Sequence, residues 1–141
     1  MTYAIAPALQ TAIYDALRNA PAVTDLVGDA IYDTIPPGAR PELYVTLGPE
    51  QVRDRSDSSG SGALHMIVVS VVSDLSGFAR AKVLAAAVSD TLHDADLSLA
   101  RGALVFLNFD RARASKARSG EMRRIDLTFR ARVCDGAGSA S

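Results

Sequence analysis

The chain has 141 residues, 48% of them apolar, with few aromatics, no Trp, one Cys and a formal net charge of −1. That length fits one domain with a core drawn mainly from Ala, Val, Leu and Ile, able to bury about two thirds of its unfolded surface. A lone Cys134 excludes an intrachain disulfide, and the apolar runs Ile67 to Val72 and Ala103 to Leu107 are far short of the roughly 20 residues a membrane-spanning helix needs. With no basic and apolar leader in Met1 to Ala6, a reducing cytoplasm is the expected compartment and no membrane partner is expected.

Pro7 suits a first helical turn, and Leu9, Ile13 and Leu17 recur every fourth residue, with Ala12 and Ala16 widening the stripe, so a helix is predicted over Pro7 to Asn19. Pro21 restarts a short helical turn through Val27, which Gly28 closes in a left-handed cap. Ala30 to Asp33 reads as a short edge strand, stopped by Pro36, Pro37 and Gly38. From Glu42 the alternation of Leu43, Val45 and Leu47 with Tyr44 and Thr46 predicts a strand that continues past a bulge or kink at Gly48 and Pro49.

Ala63 to Asp74 carries apolar residues on both faces, which predicts a central strand covered on both sides at its middle. Ser76 can cap a second main helix, with Ala81, Leu84, Ala87, Val88 and Leu92 at helical spacing and an end near His93. Ala103 to Asp110 reads as a strand that returns as Met122 to Asp135. In that return strand Ile125, Leu127, Phe129, Ala131 and Val133 share one face and Arg124, Asp126, Thr128, Arg130 and Arg132 the other.

The order implies an α+β fold: a mainly antiparallel sheet with two long hairpins and two main helices packed on one side, spanning 1–135, followed by a flexible tail at 136–141. Each hairpin ends in a polar tip, Gln51 to Gly62 and Arg111 to Gly120. An extended arm from Leu43 to Arg55 reaches roughly 40 Å, about the width of such a domain, so its far end is expected to protrude. Because Arg53 to Gly62 has no apolar residue to offset ordering entropy, it is expected to be mobile in a free monomer. The basic tip is open to three readings: a flexible loop, a grip for an acidic protein, or a grip for nucleic acid.

Charge is also lopsided along the chain. Asp15, Asp25, Asp29, Asp33 and Glu42 come early, whereas Arg111, Arg113, Lys116, Arg118, Arg123, Arg124, Arg130 and Arg132 come late. Complementary surfaces on one subunit favour head-to-tail self-association, against the plainer reading of a solvated charged surface. The residues expected at a subunit or partner interface are Gln51, Arg53, Asp54, Arg55 and Asp57 in the first hairpin. In the second they are Arg111, Arg113, Lys116, Arg118, Arg124, Arg130 and Arg132.

Signals for chemistry are sparse. His65 lies in a strand, and His93 with Asp94 and Asp96 reads as a solvated helix end rather than a metal site. Gly60, Ser61 and Gly62 neither precede a helix nor are followed by Lys, and there is no Gly-x-Ser-x-Gly elbow. No catalytic, cofactor or metal residue is expected, Cys134 reads as a bystander thiol, and the chain is not expected to be an enzyme.

Ile31 to Pro37 (IYDTIPP), Pro41 with Tyr44 to Gly48 (YVTLG), the polar hairpin, the valine-rich strand and the Ala-rich helix after Gly77 together resemble the tail terminator, or tail completion, proteins of long-tailed phages and gene transfer agents. The resemblance runs along nearly the whole chain. It implies a structural protein forming a homohexameric ring that caps the tail tube protein, ends tube polymerisation and docks the head connector protein. DNA would pass through the lumen without sequence-specific binding. Assembly would occur in the bacterial cytoplasm, and the final location would be the tail of a virion or gene transfer agent particle. Two other readings stay open: another head–tail connector ring (neck or head closure), and a nucleic-acid-binding hairpin module.

Overall fold

The computed structural model describes residues 3–33, 41–55, 61–74, 78–116 and 122–135. The expectations for Pro36, Pro37, Gly38, Asp57, Ser76, Arg118 and the tail at 136–141 lie outside the described residues. Helix α1 (Ala6–Arg18) has Pro7 in its first turn and buries Leu9, Ile13 and Leu17, the stripe its spacing dictates. Helix α2 (Pro21–Val27) ends at Gly28, whose φ of 58° is positive as expected. Its ψ of −121°, however, lies outside the left-handed helical well, so the anticipated cap is corrected to a reversal without that geometry.

Strand β1 (Ile31–Tyr32) pairs in parallel with β2 (Leu43–Asp54), the one parallel ladder beside three antiparallel ones. β2 slips register between Leu47 and Glu50, placing the bulge where Gly48 and Pro49 predict it. β3 (Ser61–Ser73) pairs with β2 on one side and β5 (Arg123–Asp135) on the other, and β4 (Ala103–Lys116) closes the sheet in the order β1-β2-β3-β5-β4. Helix α3 (Ala79–Leu92) follows β3 with Phe78 at its N-cap and no side-chain cap bond.

The fold is therefore α+β, with a five-stranded, mostly antiparallel sheet. One sheet face, carrying Val45, Val69, Val71, Ile125, Leu127 and Phe129, packs with Leu9, Ile13, Leu17, Leu84, Val88 and Leu92 of α1 and α3 in the main core. Burial of this many aliphatic side chains is the dominant stabilising term. The opposite face buries a small cluster at one end, Ala30, Tyr44 and Val72, with Val27, Tyr32 and Met122 against it. β3 is central as expected, but α1 and α3 cover one face only, and α2 reaches the other through Val27. On the other face Met66 and Val68 are half-buried and Ser70 is buried within a polar network.

Both expected tips are corrected in part. β2 runs through Arg53 and Asp54, paired with Leu64 and Ala63, and the Arg55 N–H donates to the Gly62 carbonyl at 2.8 Å. The arm is held because β5 pairs with the same stretch of β3 on its other side, so ladder bonds supply what apolar burial cannot. β4 likewise continues through Arg111, Arg113 and Lys116, which pair with Thr128, Asp126 and Arg123. These are strand residues, not loop residues.

Candidate interaction surface

Alternation along the ladders decides where each candidate side chain goes. Leu47, Glu50, Val52 and Asp54 of β2 share the helix-side phase, leaving Gln51 and Arg53 on the helix-free face. On β5 the expected split holds, with Arg124, Asp126, Thr128, Arg130 and Arg132 on the helix-free face. In β4, Phe109, Ala112 and Ala114 oppose Phe129, Leu127 and Ile125 on the helix side, so Arg111 and Arg113 join the helix-free face. Lys116 falls in phase with Ala114, on the helix side.

Six arginines, Arg53, Arg111, Arg113, Arg124, Arg130 and Arg132, thus share one face with a single ladder acid, Asp126. The sequence places them in two separate hairpins; the sheet brings them together. Asp126 Oδ1 accepts from Ser70 Oγ at 2.6 Å and from Arg124 Nε at 2.8 Å, and Arg124 Nη2 reaches Ser70 Oγ at 3.1 Å. Arg132 donates to the Arg55 carbonyl at 2.9 Å, and the Arg130 guanidinium lies 5.9 Å from the Phe106 ring centre. A recess of about 290 Å³ opens between Arg111, Arg113, Arg124, Asp126 and Thr128, with Pro49 and Val68 as its apolar wall.

The two sheet edges differ. At the β4 edge, the Phe109 N–H donates to His93 Nδ1 at 3.0 Å and the Leu107 carbonyl accepts the Asp94 N–H at 2.6 Å. His93 and Asp94 therefore cover the first half of that edge. From Asp110 to Lys116 β4 remains the terminal strand, and its side chains are almost all exposed. Beside this stretch the small side chains of α3 leave an apolar groove of about 300 Å³, lined chiefly by Ala85, Ala86, Phe109, Ala112, Ala114 and Leu127. Val83 and Val105 are 59% and 60% exposed. At the other edge, Asp25 of α2 and Asp29 and Asp33, which flank β1, are exposed, with Asp29 4.0 Å from the Arg18 guanidinium.

One polar cluster has no counterpart in the sequence reading. His65 is fully buried on the helix side of β3, its Nδ1 2.8 Å from Glu50 Oε2, while Tyr3 Oη donates to Glu50 Oε1 at 2.6 Å. Since a carboxylate only accepts, Nδ1 carries the proton; Nε2, also buried, meets no hydrogen-bond partner among the described residues. Burial opposes the Glu50 charge, but the bonds from His65 and Tyr3 and the pull of His65 outweigh it and hold the carboxyl below its ordinary value. The Tyr3 phenol, bonded to Glu50 and beside its charge, is pushed up. The signal was the register slip at Gly48 and Pro49, which brings Glu50 into phase with His65.

Comparison with known proteins agrees with the fold. The sequence matches the family described as "Tail completion protein gp17" over residues 11–134. A chain in the solved structure described as "Virion of native gene transfer agent (GTA) particle" is similar at 55% identity with a TM-score of 0.90, covering 94% of this chain and 99% of that one. No curated protein matches the sequence.

Proposed function

The chain belongs to the tail completion protein gp17 family, and from that premise we propose that it is a structural tail protein forming a ring that caps the tail tube. The ring ends tube polymerisation and offers a docking surface to the head connector, and DNA passes through its central hole. It works by assembly rather than catalysis and takes no cofactor. Likeness to a chain of a gene transfer agent virion supports a place in the tail of such a particle.

The observation that carries the ring is the asymmetry of the sheet edges. One offers an open strand, an apolar groove and the helix-side Lys116; the other offers Asp25, Asp29 and Asp33, with Asp29 4.0 Å from Arg18. A two-fold contact of either edge with itself sets like charges together. A head-to-tail contact sets unlike charges together, and such contacts close into rings when the rotation between copies permits.

Particles assembled without this chain test the role in the tail. Tubes of uncontrolled length, with heads unattached, are expected by electron microscopy. Tails of normal length joined to heads would overturn the reading. Co-purification with tube-free heads alone would move the chain to a neck ring.

A further inference from the structure

The ring contact makes no use of the recess on the helix-free face. Arg111 and Arg113 stand two residues apart on the exposed half of β4 and project to the same side. The Arg111 side chain is 75% exposed, and its ion pair is with Asp110 at 3.7 Å, too long for a good hydrogen bond. Arg113 has no ion pair among the described residues. Asp126, the acid of this recess, already accepts from Ser70 and Arg124 through Oδ1. It holds Arg124 in place, and among the described residues the two β4 guanidiniums have no ion pair other than the long one between Arg111 and Asp110.

We infer that this recess is a socket for a carboxylate side chain, a glutamate or aspartate presented by an acidic segment of a partner protein. Guanidiniums bind carboxylates through paired, charge-assisted hydrogen bonds, with a planar fork that suits two oxygens. Pro49 and Val68 supply an apolar wall on which the methylene stem of such a side chain packs, while Thr128 adds a hydroxyl at the rim. A volume of about 290 Å³ leaves room for one such side chain together with bridging waters. A nucleic-acid backbone would draw on the whole arginine face, Arg130 and Arg132 included, whereas a carboxylate socket draws on Arg111 and Arg113. The inference stands apart from the ring reading, because binding is read on monomer and ring alike.

The test is fluorescence anisotropy of the full chain with three probes at one salt concentration: a labelled glutamate-rich peptide, its glutamine counterpart and a short DNA duplex. Binding of the glutamate peptide alone is expected. The double variant Arg111→Ser, Arg113→Ser should weaken it about tenfold or more, as loss of two charge-assisted pairs implies. The double variant Arg130→Ser, Arg132→Ser, on the same face but outside the recess, should weaken it less than about threefold, the size of a screened surface charge effect. Arg113→Gln, at an exposed site, repeats the test with less perturbation and should weaken the peptide measurably while circular dichroism stays unchanged. Equal losses from the two double variants, tighter binding of the duplex than of the peptide, or no peptide binding by the folded wild-type chain would each overturn the inference.

Discussion

His65 Nδ1 lies 2.8 Å from Glu50 Oε2, a contact between residues 15 apart that the register slip in β2 makes possible. A fully buried imidazole is thereby joined to a carboxylate that in turn binds Tyr3, so the start of the chain is latched to the sheet. Because the Glu50 carboxyl is held below its ordinary value, its charged form stabilises the fold. That contribution is complete above the unfolded glutamate value of about 4.3 and is lost as pH falls through the lower folded value. Glu50→Ala should cost about 1–3 kcal/mol at neutral pH, since it strands a buried donor. It should also flatten the acid limb in urea unfolding across pH; parallel acid limbs for variant and wild type would contradict the assignment.

Tyr3 shows the opposite sign. Its phenol is raised by Glu50, so the bond it donates helps at all pH below the ordinary tyrosine range and is lost as pH rises through the raised value. Spectrophotometric titration of Tyr3→Phe against wild type should remove a phenol that ionises above the ordinary tyrosine range. Loss of a phenol titrating at the ordinary position would count against the latch.

Gly102 stands at φ +72°, and a Cβ there would meet the Cys134 carbonyl oxygen at 2.5 Å and Ile5 Cδ1 at 2.6 Å. Neither neighbour gives way readily, one being strand backbone and the other fully buried. Gly102→Ala should therefore destabilise by about 2–4 kcal/mol, combining a left-handed backbone with overpacking. A thermal midpoint within a degree or two of wild type would show that this turn relaxes.

Leu107 is the fully buried side chain of β4, and its carbonyl also receives the Asp94 N–H. Leu107→Ala should cost about 2–5 kcal/mol. Amide exchange should rise first along β4 and the segment after α3, because the rest of β4 buries little. Uniform loss of protection across the sheet would instead mean that β4 is not a separate unit.

Much of this architecture is written in local pattern. The alternation of Ile125 to Val133 against Arg124 to Arg132 fixes the faces of β5, and Gly48 with Pro49 marks the slip in β2. The second half of β4 was harder to see, because Arg111 to Lys116 buries almost nothing and its strand character depends on the β5 ladder. The period of two was present in Arg111, Ala112, Arg113 and Ala114 without an apolar core to vouch for it. The convergence of Arg53 with Arg111, Arg113, Arg124, Arg130 and Arg132 was legible only residue by residue, since it depends on which strand lies next to which. The parallel pairing of β1 depends on long-range register that no local signal carries, and Gly48 with Pro49 marks the slip behind the Glu50 to His65 contact without showing which strand lies opposite.

In the proposed ring, copies join through the α3 and β4 groove at the sheet edge, and the mass of the purified chain by analytical ultracentrifugation, with imaging of the same sample, tests that contact. The wild-type chain should form a hexameric ring with a central hole. Ala86→Glu with Ala112→Glu, which places charge in the groove without touching the arginine face, should leave a folded monomer. A wild-type chain that stays monomeric at every concentration, or a variant that still forms rings of unchanged mass, would contradict that contact.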